Sequence, residues 1–123
     1  MFSDTPAFSG FSVNDLKAAR SFYRDTLGLR TDDNPAGLTL QIAGDRPILV
    51  YPKADHEPAT YTILNFPVDD IEAAIDTLAS RGVTFKRYPQ MDQDERGIMR
   101  AGGPLIAWFA DPAGNILSVL QER

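Results

Sequence analysis

With 123 residues, 43% of them hydrophobic and 24% charged, the chain has the size and composition of one globular domain, 1–123, and not of a disordered chain. It has no cysteine, which excludes disulfides, thiolate metal sites and a cysteine nucleophile; its single histidine, His56, excludes a metal site built from several imidazoles of one chain. A net charge of −5 without a basic run argues against nucleic-acid and anionic-membrane partners, and the longest apolar run, 105–110, is too short to span a bilayer.

In chain order, the start Met1-Phe2-Ser3-Asp4 lacks the basic and apolar regions of a signal peptide, so a cytoplasmic protein is expected. Residues 7–13 read as a strand, followed by Asn14 or Asp15 as the cap of a helix. Leu16, Ala19, Tyr23 and Leu27 form that helix's apolar stripe, and Gly28 suits a left-handed cap at its end. Strands are then expected at 38–43 and 48–53, with a weaker one at 29–32. After the loop Asp55-His56-Glu57 a second strand-and-helix pair begins at 61–68. Asp69 is its expected cap, with Glu72 completing a capping box, Ile71, Ala74, Ile75 and Leu78 as the stripe, and Gly82 at the end. Strands at 84–88, 97–101 and 105–110 follow, then the turn Asp111-Pro112-Ala113-Gly114 and a closing strand at 115–121.

The order of elements repeats, and so do the residues. Phe11-Ser-Val-Asn-Asp-Leu16-Lys-Ala-Ala19 aligns with Phe66-Pro-Val-Asp-Asp-Ile71-Glu-Ala-Ala74 at an offset of 55 residues. Leu27-Gly28-Leu29 answers Arg81-Gly82-Val83 one residue earlier, and the run Gly44 to Val50 is similar to Gly114 to Ser118. The class is therefore α+β, with two tandem βαβββ modules at about 6–55 and 60–121. Parity places Ser9, Phe11 and Val13 on one face of the first strand and Leu64, Phe66 and Val68 on the same face of its counterpart, both suited to lie under helices. The opposite faces, Phe8-Gly10-Ser12 and Ile63-Asn65-Pro67, mix small, polar and apolar residues and suit the floor of a pocket.

The repeat, Val13-Asn-Asp-Leu16 leading to Phe22-Tyr23 and Leu27-Gly28-Leu29, and Asp111-Pro-Ala-Gly-Asn115 together resemble the vicinal oxygen chelate superfamily, also called the glyoxalase/bleomycin-resistance/dioxygenase superfamily. The resemblance runs from about Ala7 to Gln121. It implies curled mixed sheets around a shared cavity, often completed in a homodimer, with a small molecule as partner. Metal-dependent members take four ligands from strand positions that fall at Phe8, Val50 (or Tyr51), Ile63 and Ser118 in this sequence, where the family places His, Glu or Gln. Two large apolar groups, one aliphatic or phenolic group and a hydroxyl do not make a divalent-cation site, so neither metal nor other cofactor is expected. The chain is in this respect similar to the metal-free branch, in which an apolar cavity suits a flat or aromatic ligand.

Residues expected on the ligand side are Phe8, Ser12, Tyr51, Asn65, Arg100, Trp108 and Ser118. Asn65 stands out because a buried mid-strand amide must find partners. The alternative is an enzyme of the lyase, isomerase or dioxygenase type, with His56 or Glu95 as acid–base candidates. His56 reads as a solvated loop residue without an oriented partner, and 92–97 as a mobile acidic loop able to cover a pocket.

Overall fold

Asp15 sets the start of the first helix, its carboxylate accepting a hydrogen bond from Ala18 N at 3.1 Å. In the computed structural model, which describes Met1–Arg123, the unit Met1–Glu57 runs β1 (Ser9–Val13), α1 (Leu16–Ser21), a π-helical turn (Phe22–Thr26), β2 (Arg30–Asn34), β3 (Gly37–Ile42) and β4 (Arg46–Pro52). This is the βαβββ order read from the sequence. The sheet order is β1-β4-β3-β2, with β1 parallel to β4 and the other pairs antiparallel.

Val13, Ala19, Tyr23, Leu38, Leu40 and Val50 are buried between helix and sheet. Each such large apolar side chain contributes roughly 1.5–3 kcal/mol relative to exposure. The single expected helix is α-helical only to Ser21, then widens so that Leu27 N donates to Phe22 O at 3.0 Å. The wider turn holds the fully buried Tyr23 ring 5.7 Å from Phe11 and 5.2 Å from Phe22. Gly28, at φ +73°, ends it in the left-handed cap anticipated from the sequence.

The second unit, Pro58–Arg123, contains β5 (Thr62–Pro67), α2 (Ile71–Ser80), β6 (Leu105–Ala110) and β7 (Ile116–Gln121). Its sheet order is β5-β7-β6, with β5 parallel to β7. The helix cap is Asp70, not Asp69. Ile71 N donates to the Gln121 side chain at 2.9 Å, which leaves Glu72 N and Ala73 N, both at 3.1 Å, to the Asp70 carboxylate. Glu72 therefore does not close a capping box. Ile71, Ile75 and Leu78 are buried, as the stripe required.

The strands expected at 84–88 and 97–101 are reduced to isolated pairings, Phe85 with Phe109 and Met99 with both Gln93 and Ile106. Pro89 follows the first, and Gly97 at φ +87° turns the chain at the start of the second. The Gln93 side chain replaces part of the missing ladder. Its oxygen accepts from Tyr88 N at 2.7 Å, and its nitrogen donates to Lys86 O at 3.0 Å and Gly97 O at 2.8 Å. No helix in either unit is long and apolar enough to cross a membrane.

Candidate functional site

Register and parity decide which candidate side chains meet in the first unit. Phe11 lies opposite Val50 and Ser12 opposite Tyr51. The Phe11 ring meets Tyr23 from the helical side, so Val50 shares that covered face and Ser12 and Tyr51 occupy the other. Of the two residues considered for the last-strand position, Tyr51 is thus the one on the open face. Val50 is fully buried, whereas Tyr51 is 36% exposed.

His56 has an oriented partner after all, which corrects its reading as an isolated loop imidazole. Its Nδ1 lies 2.7 Å from Ser12 Oγ, both side chains being half-buried. The route is short and backbone-directed. As the chain leaves β4, Lys53 N donates to Val13 O at 2.9 Å, and His56 N closes a turn on Lys53 O at 3.0 Å. Lys53 Nζ also pairs with Asp55 at 2.6 Å. That hydrogen bond raises the ammonium pKa and lowers the carboxyl pKa from their ordinary values.

A cleft of about 410 Å³ opens there, lined by Ser12, Tyr51, Lys53, Asp55 and Glu57. Its walls are polar and charged, in contrast to the apolar lining expected. Phe8, expected on the ligand side, is 65% exposed just before β1 and does not line it, and Val50, named only as a family ligand position, is under the helix.

In the second unit Asn65, Ser118 and Trp108 form one cross-strand row. Gln121 reaches α2, so the alternating Ser118 lies on the opposite face of β7. Ser118 is fully buried and its hydroxyl donates to Asn65 Oδ1 at 2.6 Å. Asn65 itself is exposed and not buried as expected, because β5 is an edge strand. Trp108 is 8% exposed and meets the Tyr88 ring edge-on at 5.6 Å, while Phe109 packs on Phe85. Burial raises the Tyr88 phenol above its ordinary range. Ile63 sits in the irregularity between Thr62 and Leu64.

Residues 92–97 are tied down around one carboxylate, which sequence reading missed. Asp94 accepts from Arg96 N and Ile98 N, each at 2.9 Å, and from Arg100 Nε at 2.8 Å. Burial opposes its ionisation, but these hydrogen bonds outweigh burial and lower its pKa. Arg100 is thereby committed to the loop, with Glu72 3.6 Å away, and Arg96 pairs with Asp76 and Glu72. Glu95 remains exposed. An aspartate followed by donors two and four residues on is an Asx-type signal that could have located the hub.

The four positions where the family would place metal ligands do not fit a cation. Phe8 and Ile63 carry no donor, the third position offers only Val50 or the Tyr51 phenol, and the Ser118 hydroxyl is turned to Asn65. No three His, Asp or Glu side chains converge elsewhere.

The comparisons with known proteins bear on the whole chain. Residues 10–119 match the family described as Glyoxalase/Bleomycin resistance protein/Dioxygenase superfamily. Among curated proteins none matches. A solved member of that superfamily from Sphaerobacter thermophilus is 27% identical, over 94% of this chain and 96% of that one, with a TM-score of 0.69. An antibiotic binding protein from Streptomyces sp. CB03234 is also 27% identical, over 95% and 96%, with a TM-score of 0.64. A genomically encoded fosfomycin resistance protein from Listeria monocytogenes, 16% identical over 95% and 92%, shares the fold with a TM-score of 0.71. The chain belongs to the glyoxalase/bleomycin resistance protein/dioxygenase superfamily.

Proposed function

We propose that the chain binds a small molecule without a metal, in the cleft beside Ser12 and Tyr51. The observation that carries this reading is the cleft itself, which brings together two expected ligand-side residues, Ser12 and Tyr51, the latter with a part-exposed ring. The donor-poor family positions support metal independence, and the similar Streptomyces protein, described as antibiotic binding, supports small-molecule capture. The charged rim favours a polar molecule with one flat portion to lie on Tyr51, held by hydrogen bonds to Ser12 and the rim. Trp108 and Ser118 are too buried to take the same role, and serve as packing for their own sheet. Chemistry of the lyase or isomerase type finds no paired acid and base around Glu95, which stands exposed.

The test is a fragment screen of small polar aromatics by protein-observed NMR. Shifts are expected at Ser12, Tyr51 and Lys53. Tyr51→Ala should weaken the best fragment about fivefold to tenfold, the loss of roughly 1 kcal/mol of ring contact. Unchanged affinity in that variant, or weakening by Asn65→Leu instead, would move the site to the second unit.

A further inference from the structure

We propose that Ser12 and His56 form a nucleophile–base pair that transfers acyl groups from small neutral esters. The inference rests on the cleft admitting a small molecule, and goes beyond binding to a covalent step. A serine hydroxyl is a weak nucleophile unless a base lies within about 2.6–3.2 Å of it. His56 Nδ1 is 2.7 Å from Ser12 Oγ across 44 residues of sequence, and Ser12 lines the cleft. Both partners are held by backbone: Ser12 by the parallel β1–β4 ladder, His56 by the turn that follows it.

The same strand pairing forms in the other unit without this pair. The second unit repeats the strand pairing with Pro67 opposite Leu120 where the first has Ser12 opposite Tyr51. The Ser12 hydroxyl is thus not needed for the strand pairing itself.

The chemistry balances without a cofactor. With Nδ1 unprotonated, Ser12 Oγ–H donates to it. As Oγ bonds to the ester carbonyl carbon, the proton passes to Nδ1. The carbonyl–oxygen bond to the leaving group then breaks, and that oxygen takes the proton from the imidazolium. Water next attacks acyl-Ser12, giving its proton to Nδ1 and from there to the released Oγ. One ester and one water become one acid and one alcohol. Around the cleft Lys53 carries one positive charge, and Asp55 and Glu57 two negative ones. That rim disfavours anionic esters and helps expel the carboxylate product. Tyr51 offers a surface for a flat leaving group.

The experiment uses the full chain and p-nitrophenyl acetate, with nitrophenolate release and intact mass followed together. The expected result is a single acetyl group on Ser12 and a release rate that saturates with ester. Ser12→Ala should abolish the adduct, and His56→Gln should slow acylation about a hundredfold, the usual contribution of a general base. His56→Gln also keeps a hydrogen-bonding group beside Ser12, so a retained circular-dichroism spectrum with slowed acylation separates chemistry from folding. Saturation that persists in Ser12→Ala without an adduct supports binding and overturns acyl transfer. Acetylation confined to lysines, or a His56→Gln rate equal to that of the unaltered chain, would overturn the proposal as well.

Discussion

Asp111 offers the sharpest test of how the second sheet is held together. It ends the segment leaving β6, and Asn115 precedes β7. One carboxylate oxygen accepts from Ala113 N and Asn115 N, each at 2.9 Å, and the other from Asn115 Nδ2 at 3.0 Å. Both residues are buried, at 5% and 2% exposure. Asp111→Ala removes the acceptor for all three donors where water reaches poorly. At about 1 kcal/mol or slightly more for each, the loss is roughly 3–4 kcal/mol. For a chain of this length that lowers the melting temperature by about 10–20 °C. Asp111→Asn keeps one oxygen for the two backbone donors but sets an amide nitrogen against that of Asn115, for a loss of about 1–2 kcal/mol. Urea denaturation with an unchanged m-value measures both. A loss under about 1 kcal/mol for Asp111→Ala, or equal losses for the two variants, would refute the reasoning.

Two further outcomes follow from the same geometry. The Asp94 pKa lies below its ordinary value, so the native state binds this proton less tightly than the unfolded chain does. Its contribution is complete above the unfolded carboxylate value of about 4 and is lost as pH falls through the native one. Urea midpoints should fall in that acid range, and Asp94→Asn should remove part of the fall; parallel profiles would exclude this carboxylate as its source. Gly37 (φ +153°) stands where a Cβ would lie 2.4 Å from Val50 O, whereas Gly28 (φ +73°) has nothing within 4 Å of that point. Gly37→Ala should therefore destabilise by several-fold more than the roughly 1–2 kcal/mol expected for Gly28→Ala, read from urea midpoints, and equal losses would contradict the close approach of β3 to β4.

Those elements that were legible in the sequence are the ones whose signal is local. Asp15, Gly28 and Gly82 act within their own turns, and apolar periodicity placed Tyr23, Ile71, Ile75 and Leu78 in the core. The cap of α2 is Asp70 and not Asp69 because Ile71 N is claimed by Gln121, fifty residues away, and no local rule registers that competitor. The strands expected at 84–88 and 97–101 shrink to isolated bridges for a related reason. Their composition suits a strand, but Gln93 and Asp94 supply side-chain hydrogen bonds that let the backbone leave the ladder.

The candidate site divides along the same line. Strand parity places Ser12 on an open face, because a period of two survives any uncertainty about partners, while the resemblance leaves Val50 and Tyr51 as alternatives for the last-strand position. Choosing between Val50 and Tyr51 required the register, since a slip of one residue exchanges the two faces. His56 is not legible from the repeat, because it lies just beyond the first module, about 6–55, and before the second begins at about 60. A repeat identifies what both halves need for folding. His56 occurs in only one of them, fixed against an open-face hydroxyl. The segment just after β4 is where the first half sets an imidazole against an open-face hydroxyl, a pairing that Pro67 and Leu120 cannot make at the corresponding place in the second.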